Sequence, residues 1–246
     1  MKFADLHNHT LYSVDDGPKS AQEMFEMLDA AWADGIGAIC LTPHFHPGYF
    51  GENQAKIRQV FEMLTWYAAK KYPEMRLYLG NELRYSGECL SWLESGACLT
   101  LNGTDHVLVD FHENEPERNI VKAMERLMNA GYRPVLAHAE RYHALSARRI
   151  GELVRNGISI QIDVQSLFGI YGLHARMRSW KLLNNKLVDI VATDAHGLGR
   201  RNPILSRGYR AVQRKYGDAY ASTIFAENPM MLLAGEGQEG ARTNHE

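Results

Sequence analysis

Short apolar segments of β-strand character alternate with helical segments along almost the whole chain, and this alternation restricts the fold more than any other feature. Seven such strand segments follow one another, at 3–7, 36–44, 76–82, 106–111, 133–140, 158–164 and 187–196. Most are almost continuously apolar, which is typical of strands covered on both faces by helices. The pattern predicts an α/β fold with a parallel sheet. For a chain of 246 residues we expect that sheet to close into a (β/α) barrel, with an open doubly wound sheet as the alternative.

The helical segments carry recognisable start and stop signals. Ser20 and Glu23 form a capping box at the start of the first helix, and Gly35 stands where such a helix ends. Apolar residues then recur at helical spacing at 53–72, 118–130, 146–156, 174–185 and 203–216. We expect one domain over residues 1–234, followed by a polar, glycine-rich tail at 235–246 that is disordered.

Composition excludes several classes of function. With 27 Lys+Arg against 29 Asp+Glu, the net charge of -2 gives no electrostatic reason to expect a nucleic-acid partner. No apolar segment approaches the roughly 20 residues that span a bilayer, and the amino terminus does not resemble a signal peptide, so membrane insertion is not expected. Cys40, Cys89 and Cys98 are widely spaced, which fits a reducing cytoplasm better than a disulfide framework.

Side chains that bind metals collect at the carboxyl ends of these segments. Six of the seven segments supply one, and the residues are His7, His9, His44, Glu82, Asp110, His138, Asp194 and His196. A single histidine or aspartate in such a place is usually only a hydrogen-bonding residue. A parallel barrel, however, brings all of these ends to one rim, and imidazoles with carboxylates hold divalent transition metals. The joint pattern therefore predicts a metal site at the carboxyl-terminal rim.

Several other polar residues have weaker claims. Asp5 is expected to support the first strand, Asp15 to be solvated or to cap a turn, and His46 is a weak candidate for the site. Cys40 is expected in the core. The sequence contains neither a GxSxG elbow nor a Cys-x5-Arg loop, which excludes the corresponding serine and cysteine nucleophiles.

The segments DLHNH, TPHFH, GNEL, LAHAE and TDAH resemble the PHP superfamily of metal-dependent phosphoesterases. VDDGPKS, AHAERY and the closing ENP resemble one branch of it, the manganese-dependent bacterial protein-tyrosine phosphatases of capsule and exopolysaccharide operons. The resemblance extends from about residue 3 to residue 231. It implies a distorted (β/α)7 barrel of the PHP type. It also implies a cytoplasmic phosphomonoester hydrolase that acts on the phosphotyrosine tail of a bacterial tyrosine autokinase.

The resemblance further implies three divalent metal ions. Mn²⁺ is the expected metal, and Fe, Zn or Co are alternatives. The first ion would be held by His7, His9, Glu82 and Asp194. Glu82 would bridge to a second ion held by Asp110 and His138. Asp16, His44 and His196 would hold the third. The branch usually has Glu where this chain has Asp110, whose side chain is one methylene shorter, and His112 and Glu113 stand nearby as substitute ligands of the second ion.

Two arginines match phosphate-binding arginines of that branch, namely Arg141 and Arg201, with the adjacent Arg200 as a rival for the second role. A guanidinium offers a planar fork of donors that fits two phosphoryl oxygens. The implied mechanism is in-line attack on phosphorus by a metal-bound hydroxide, with the third ion and the arginines holding the phosphoryl oxygens. If the leaving group needs a proton donor, the candidates are His44, His196 and a metal-bound water.

Other functions stay open on the residues alone. They are a phosphatase for a small molecule such as histidinol phosphate, a PHP-type nuclease, and a binding scaffold without metal. A nuclease is expected to carry a basic face, which the net charge of -2 does not suggest. The segment 47–53, with Tyr49 and Phe50, is a candidate rim for a peptide, and a homo-oligomer is compatible with the sequence.

Overall fold

The computed structural model describes residues 2–234, in which parallel strands form a curled sheet surrounded by helices. The strands are β1 (Phe3–Asn8), β2 (Ile36–Leu41), β3 (His44–Phe45), β4 (Arg76–Leu79), β5 (Glu82–Arg84), β6 (His106–Asp110), β7 (Arg133–Leu136), β8 (Ser159–Asp163) and β9 (Ile190–Ala192). The helices are α1 (Ala21–Ala33), α2 (Gln54–Lys71), α3 (Cys89–Glu94), α4 (Glu117–Asn129), α5 (Ala147–Arg155), α6 (Gly172–Asn184), α7 (Ser206–Tyr216), α8 (Asp218–Ser222) and α9 (Asn228–Ala234). The predicted α/β fold is confirmed, whereas the predicted disordered tail at 235–246 lies outside the described residues.

The strand neighbours follow the order β1-β2-β4 in one sheet and β3-β5-β6-β7-β8-β9 in the other, with every pairing parallel. The segments 36–44 and 76–82, each predicted as one strand, are broken in two. One break contains Pro43, which has no N–H for the ladder. In the other, Asn81 replaces ladder bonds with its side chain, donating to Pro43 O at 2.9 Å and accepting from Leu99 N at 2.9 Å. As a consequence Glu82 begins β5 instead of ending the strand before it.

The first and last strands are held together at the carboxyl end of β1. The amide of Asp194 donates to His7 O at 2.9 Å, and the amide of His9 donates to Ala195 O at 2.9 Å. Below them the buried carboxylate of Asp5 accepts hydrogen bonds from the backbone and the hydroxyl of Thr193. The expectation that Asp5 supports the strand is confirmed, and the histidines that follow β1 come close to the residues that follow β9.

The core positions the site through the alternation of side chains along the strands. On β6, Val107 and Val109 join the large cluster under the helices. Leu108 joins a second cluster, which also contains Cys40 as predicted. Asp110 comes two residues after Leu108, so its side chain lies on the same face of β6 as Leu108, at the carboxyl end of the strand.

The helices begin and end largely where the sequence predicts. The Ser20 hydroxyl accepts from Glu23 N at 3.2 Å, but the Glu23 carboxylate accepts from Lys19 N at 3.1 Å, one residue before the expected partner. The predictions did not include α3, α8 or α9. Among residues 2–234, no helix combines the length and the apolar character that crossing a membrane requires.

Candidate metal centre

Four side chains, two from the end of β1, one from the start of β5 and one that follows β9, point their ligand atoms at one place. The Nε2 atoms of His7 and His9 lie 3.1 Å apart, and each is 3.3 Å from Glu82 Oε2. Both nitrogens are also 3.5 Å from Asp194 Oδ1. All four residues are buried. Two imidazoles and two carboxylates at these separations are a donor set that a divalent transition metal prefers.

A second group adjoins the first at the more exposed side. The carboxylate of Asp16 lies 3.4 Å from His44 Nε2 and 3.1 Å from His196 Nε2. His9 stacks on His196 with ring centroids 3.9 Å apart, so the two groups are contiguous. The structure thus brings together the three residues that the resemblance assigns to one ion.

The third group contains Asp110, the residue at which this chain departs from its branch. His138 Nε2 lies 2.9 Å from Glu82 Oε1 and 3.5 Å from Asp110 Oδ1. The shorter Asp110 side chain therefore still reaches the ligand atoms, because β6 carries it to a buried position beside them. His112 and Glu113, the substitutes considered from the sequence, are exposed on the rim of the same cavity.

Two buried ligand atoms that have ion-pair contacts but no well-formed hydrogen bond indicate that these groups suit a cation. Glu82 Oε2 lies 2.7 Å from His44 Nδ1, and His196 Nε2 lies 3.1 Å from Asp16 Oδ1, but within the described residues neither atom makes a hydrogen bond of acceptable geometry. A buried polar atom that lacks a hydrogen bond costs up to about 1–3 kcal/mol. A divalent ion would satisfy both atoms, so the residues fit the metal that the sequence predicts.

The backbone at two of these residues is strained in a way that aims their side chains. His138 and Asp194 have φ of 33° and 50°, in the left-handed region that non-glycine residues seldom adopt. Such conformations persist only where the surrounding structure enforces them, and they concentrate at functional sites.

The ring of His9, directly after β1, is oriented by a carboxylate on the side away from the other ligands. His9 Nδ1 lies 2.7 Å from Asp15 Oδ2, and the Asp15 carboxylate also accepts from the amides of Gly17 and His44. The expectation that Asp15 is solvated or caps a turn was wrong in its first part, because the side chain is buried against His9. A carboxylate on the far nitrogen of a ligating histidine fixes the tautomer and makes the ring more basic.

The predicted segment 158–164, which supplies none of the predicted ligands, forms β8 and supplies supporting contacts instead. The Gln161 side-chain oxygen accepts from His138 N at 2.7 Å and lies 3.2 Å from His7 Nδ1. Two residues further on the same face, Asp163 pairs with Arg141. Because side chains alternate between the two faces of a strand, the segment ISIQIDV could have predicted that Gln161 and Asp163 both lie on the inner face.

Arg141 and Arg201 both reach Asp194. Arg141 donates to Asp194 Oδ2 and Arg201 to Oδ1, each at 2.7 Å. The exposed Arg200 turns away and donates to Ile170 O at 2.8 Å. The structure therefore places Arg201, not its neighbour, beside the candidate ligands.

A cavity of about 260 Å³ opens between the third group and the two arginines. Its lining includes Arg84, which the sequence reasoning missed and which lies 2.8 Å from Asp110 Oδ2. Arg84 follows Glu82 by two residues in β5, so strand periodicity could have placed it on the same face. His46 lines the neighbouring groove and not this cavity.

The electrostatics of the metal-free site favour the protonated form of His7 and His44. Burial lowers the pKa of His7, but the carboxylates of Glu82 and Asp194 outweigh it and raise the pKa to about 10. For His44 burial is likewise outweighed by Glu82 and Asp16, and the pKa rises to about 11. A ligating nitrogen needs its lone pair, so both rings must release a proton before they bind a cation.

Metal loading is therefore expected to release protons between pH 6 and 8.5, and the apparent metal affinity is expected to increase with pH. Titration calorimetry with Mn²⁺ in two buffers of different ionisation enthalpy measures the number of protons released. A heat that is the same in both buffers, after correction for dilution, would contradict this expectation.

Comparisons with known proteins show the family of this chain. The family model for capsular polysaccharide synthesis, CpsB/CapC, matches residues 3–234. The chain belongs to the CpsB/CapC family. This CpsB/CapC-family chain is 30% identical over 236 residues to tyrosine-protein phosphatase CpsB of Streptococcus agalactiae, covering 93% of this chain and 97% of that one. It is also 30% identical over 231 residues to tyrosine-protein phosphatase YwqE of Bacillus subtilis, covering 93% and 91%.

The fold of this chain also matches that of a solved relative. A chain from the crystal structures of YwqE from Bacillus subtilis and CpsB from Streptococcus pneumoniae, described as metal-dependent tyrosine phosphatases, superposes with a TM-score of 0.86. The two chains are 29% identical, and the match covers 95% of each. The curled parallel half-barrel is thus shared with metal-dependent enzymes of this CpsB/CapC family.

Proposed function

We propose that the protein is a metal-dependent protein-tyrosine phosphatase that hydrolyses phosphotyrosine on a protein partner in capsular polysaccharide synthesis. The observation that carries the proposal is the convergence of three overlapping His/carboxylate groups beside two partly buried arginines. Such a set provides open coordination positions and phosphate-binding donors in one place. The family relationship then specifies the chemistry as phosphotyrosine hydrolysis.

The finer architecture that we propose is a (β/α)7 barrel whose carboxyl-terminal rim holds the metals. β3 continues β2 and β5 continues β4, so the nine strands occupy seven positions around the barrel. The contacts between the ends of β1 and β9 support closure. We further propose that residues 1–234 are one catalytic domain.

We propose three ions in this domain, with Mn²⁺ as the expected metal. The ligand sets are those given by the resemblance, and the three candidate groups in the structure overlap with them. When bound, the ions supply a water of lowered pKa as nucleophile and offset the charge of the phosphoryl group.

The side chains of this chain have separate tasks in that reaction. Arg141 and Arg201 bind phosphoryl oxygens through guanidinium N–H groups that they do not use for Asp194. His44 and His196 lie at the exposed side of the site and are assigned as ligands, so we propose that a proton for the leaving oxygen would come through a water beside them. A tyrosine phenolate has a pKa near 10 and leaves more readily than an alkoxide, so this proton donation matters less than for an alkyl phosphate.

A groove beside the site supports a protein substrate in preference to a small molecule. Its volume is about 610 Å³, and Arg84, Phe111 and His112 line both this groove and the metal-site cavity. Tyr85 stacks near Phe111, with ring centroids 5.4 Å apart, and Lys122 adds a positive charge. This continuity gives room for the residues that flank a phosphotyrosine.

Replacing Lys122 by Glu is expected to increase KM about threefold to tenfold for a phosphotyrosyl peptide with acidic flanking residues. The substitution removes one attraction between surface charges and introduces one repulsion, and each contributes up to about 1 kcal/mol. Hydrolysis of p-nitrophenyl phosphate, which does not reach the groove, is expected to stay unchanged. Lys70→Glu, at the exposed end of α2, is the control and is expected to change neither substrate's kinetics.

Steady-state kinetics on the Mn²⁺-loaded protein test the function itself. We expect kcat/KM for a phosphotyrosyl peptide to exceed that for histidinol phosphate by at least tenfold, with no cleavage of single-stranded DNA. A preference for histidinol phosphate would replace the proposal by a small-molecule phosphatase. Chelation is expected to abolish activity, and metal analysis of the purified protein gives the number of ions.

The partner that we propose is the phosphotyrosine tail of a bacterial tyrosine autokinase. The family's place in capsular polysaccharide synthesis supports it. We assign the reaction to the cytoplasm, because the three cysteines are free and buried and thus suit a reducing compartment.

A further inference from the structure

The hydroxyl of Tyr142 lies behind the ligand group that contains Asp110. Tyr142 is fully buried and follows the short 3-10 turn Ala139–Arg141. Its hydroxyl oxygen lies 3.2 Å from Asp110 Oδ1 and 3.3 Å from His138 Nδ1, and it accepts a hydrogen bond from Phe111 N at 3.1 Å. One hydroxyl thus contacts both residues that complete the ligand group around Glu82.

A tyrosine hydroxyl has one proton to donate and can accept two hydrogen bonds. Phe111 N takes one accepting position. The hydroxyl proton can go to Asp110 or to His138, but not to both. If it goes to His138 Nδ1, His138 must carry its own proton on Nε2, which faces Glu82 and could not bind a cation.

Metal binding through His138 Nε2 therefore permits a single arrangement. His138 Nδ1–H donates to the tyrosine oxygen, and the tyrosine O–H donates to Asp110 Oδ1. All three hydrogen-bonding positions of the hydroxyl are then filled. Hydrogen bonds of this kind to ligating residues fix tautomer and orientation, and their loss weakens metal binding about tenfold to a hundredfold.

We propose that Tyr142 is the positioning residue of the second metal ion, setting the tautomer of His138 and the orientation of Asp110 through a single hydroxyl. The inference rests on the metal centre put forward under the proposed function. It also explains how Asp110, with its shorter side chain, can act as a metal ligand at a position where the branch usually has Glu. Arg84 holds one carboxylate oxygen of Asp110 at 2.8 Å, and Tyr142 holds the other.

The test is Tyr142→Phe, which removes only the hydroxyl, in the full-length protein. Metal content by mass spectrometry and Mn²⁺ titration against a fluorescent chelator are the readouts. We expect one equivalent of Mn²⁺ to bind about tenfold to a hundredfold more weakly, with the remaining equivalents unchanged. In an Asp110→Ala background the same substitution is expected to have a smaller further effect, because only the hydroxyl's contact with His138 remains to be lost.

Tyr132→Phe is the matched control, because Tyr132 precedes β7 at the strand end remote from His138. It is expected to bind metal as the unaltered protein does. If Tyr142→Phe does not fold, long-range ¹H–¹⁵N spectra of the unaltered Zn²⁺-loaded protein decide, with a proton expected on Nδ1 of His138. Unchanged binding of all equivalents in Tyr142→Phe, or coordination of His138 through Nδ1, would overturn the inference. A protein that behaves as expected here but does not hydrolyse phosphotyrosine would refute only the proposed function.

Discussion

Replacing Glu82 by Gln is expected to reduce phosphotyrosine hydrolysis by roughly a thousandfold or more, since metal-derived stabilisation worth several kcal/mol is lost. Glu82 is the central carboxylate of the site. One oxygen lies 3.3 Å from both His7 and His9, and the other lies 2.9 Å from His138. The neutral amide keeps the shape but removes the charge that two proposed ions share.

Metal analysis and kinetics together measure this effect. We expect Glu82→Gln to lose metal from both the first and the second proposed sites, not only activity. Glu113→Gln is the control, because Glu113 is an exposed carboxylate that lines the same cavity. Near-normal activity of Glu82→Gln with a full complement of metal would refute the proposed bridging role.

The fold of this variant must be checked separately. Glu82 is buried among imidazoles and holds the pKa of His7 and His44 above the ordinary histidine value. Without its charge these rings lose a partner, and the metal-free protein is expected to be less stable by about 1–3 kcal/mol. Thermal unfolding in the presence of a chelator measures that loss, and a cooperative transition shows that the variant is folded.

Arg201→Ala is expected to lower kcat/KM for a phosphotyrosyl peptide by about a hundredfold to a thousandfold, which is typical for removing one donor to a transition-state oxyanion. The Arg201 guanidinium lies 2.7 Å from Asp194 Oδ1 and lines the metal-site cavity. Arg201→Lys keeps the charge but loses the planar fork, so it is expected to recover only part of the activity.

The neighbouring Arg200 provides the matched control. Arg200 is exposed and donates to Ile170 O, away from the cavity. Arg200→Ala is therefore expected to change kcat/KM by less than about threefold, in keeping with the small effects of most surface substitutions. The opposite result, with Arg200→Ala impaired and Arg201→Ala active, would transfer the phosphate-binding role to Arg200.

Much of the candidate site could be predicted from local pattern. His7 and His9 are two residues apart on a strand, and Asp194 ends a later strand of the same parallel sheet. Parallel strands bring their carboxyl ends to one edge whatever their separation in sequence. The residue types at the ends of the segments therefore predicted which side chains would meet.

The contacts that support the candidate ligands could not be predicted from the sequence in the same way. Asp15 and Asp16 are adjacent acids, yet one is buried against His9 and the other faces His44 and His196. Which of the two turns inward depends on the packing of the loop after β1. The break at Gly80 and Asn81 likewise depends on Pro43 and Leu99, which are distant in sequence.

The sequence by itself determined the parallel α/β fold and the ligand types at the strand ends, because strand and helix periods and the direction of parallel strands are local properties. Only the tertiary structure decided that Asp110 reaches His138 despite its shorter side chain, that Arg201 and not Arg200 faces Asp194, and that Tyr142 lies between Asp110 and His138. These outcomes depend on distances of a few ångströms between residues far apart in the chain. Such distances are set by how strands and loops pack, which no local pattern specifies.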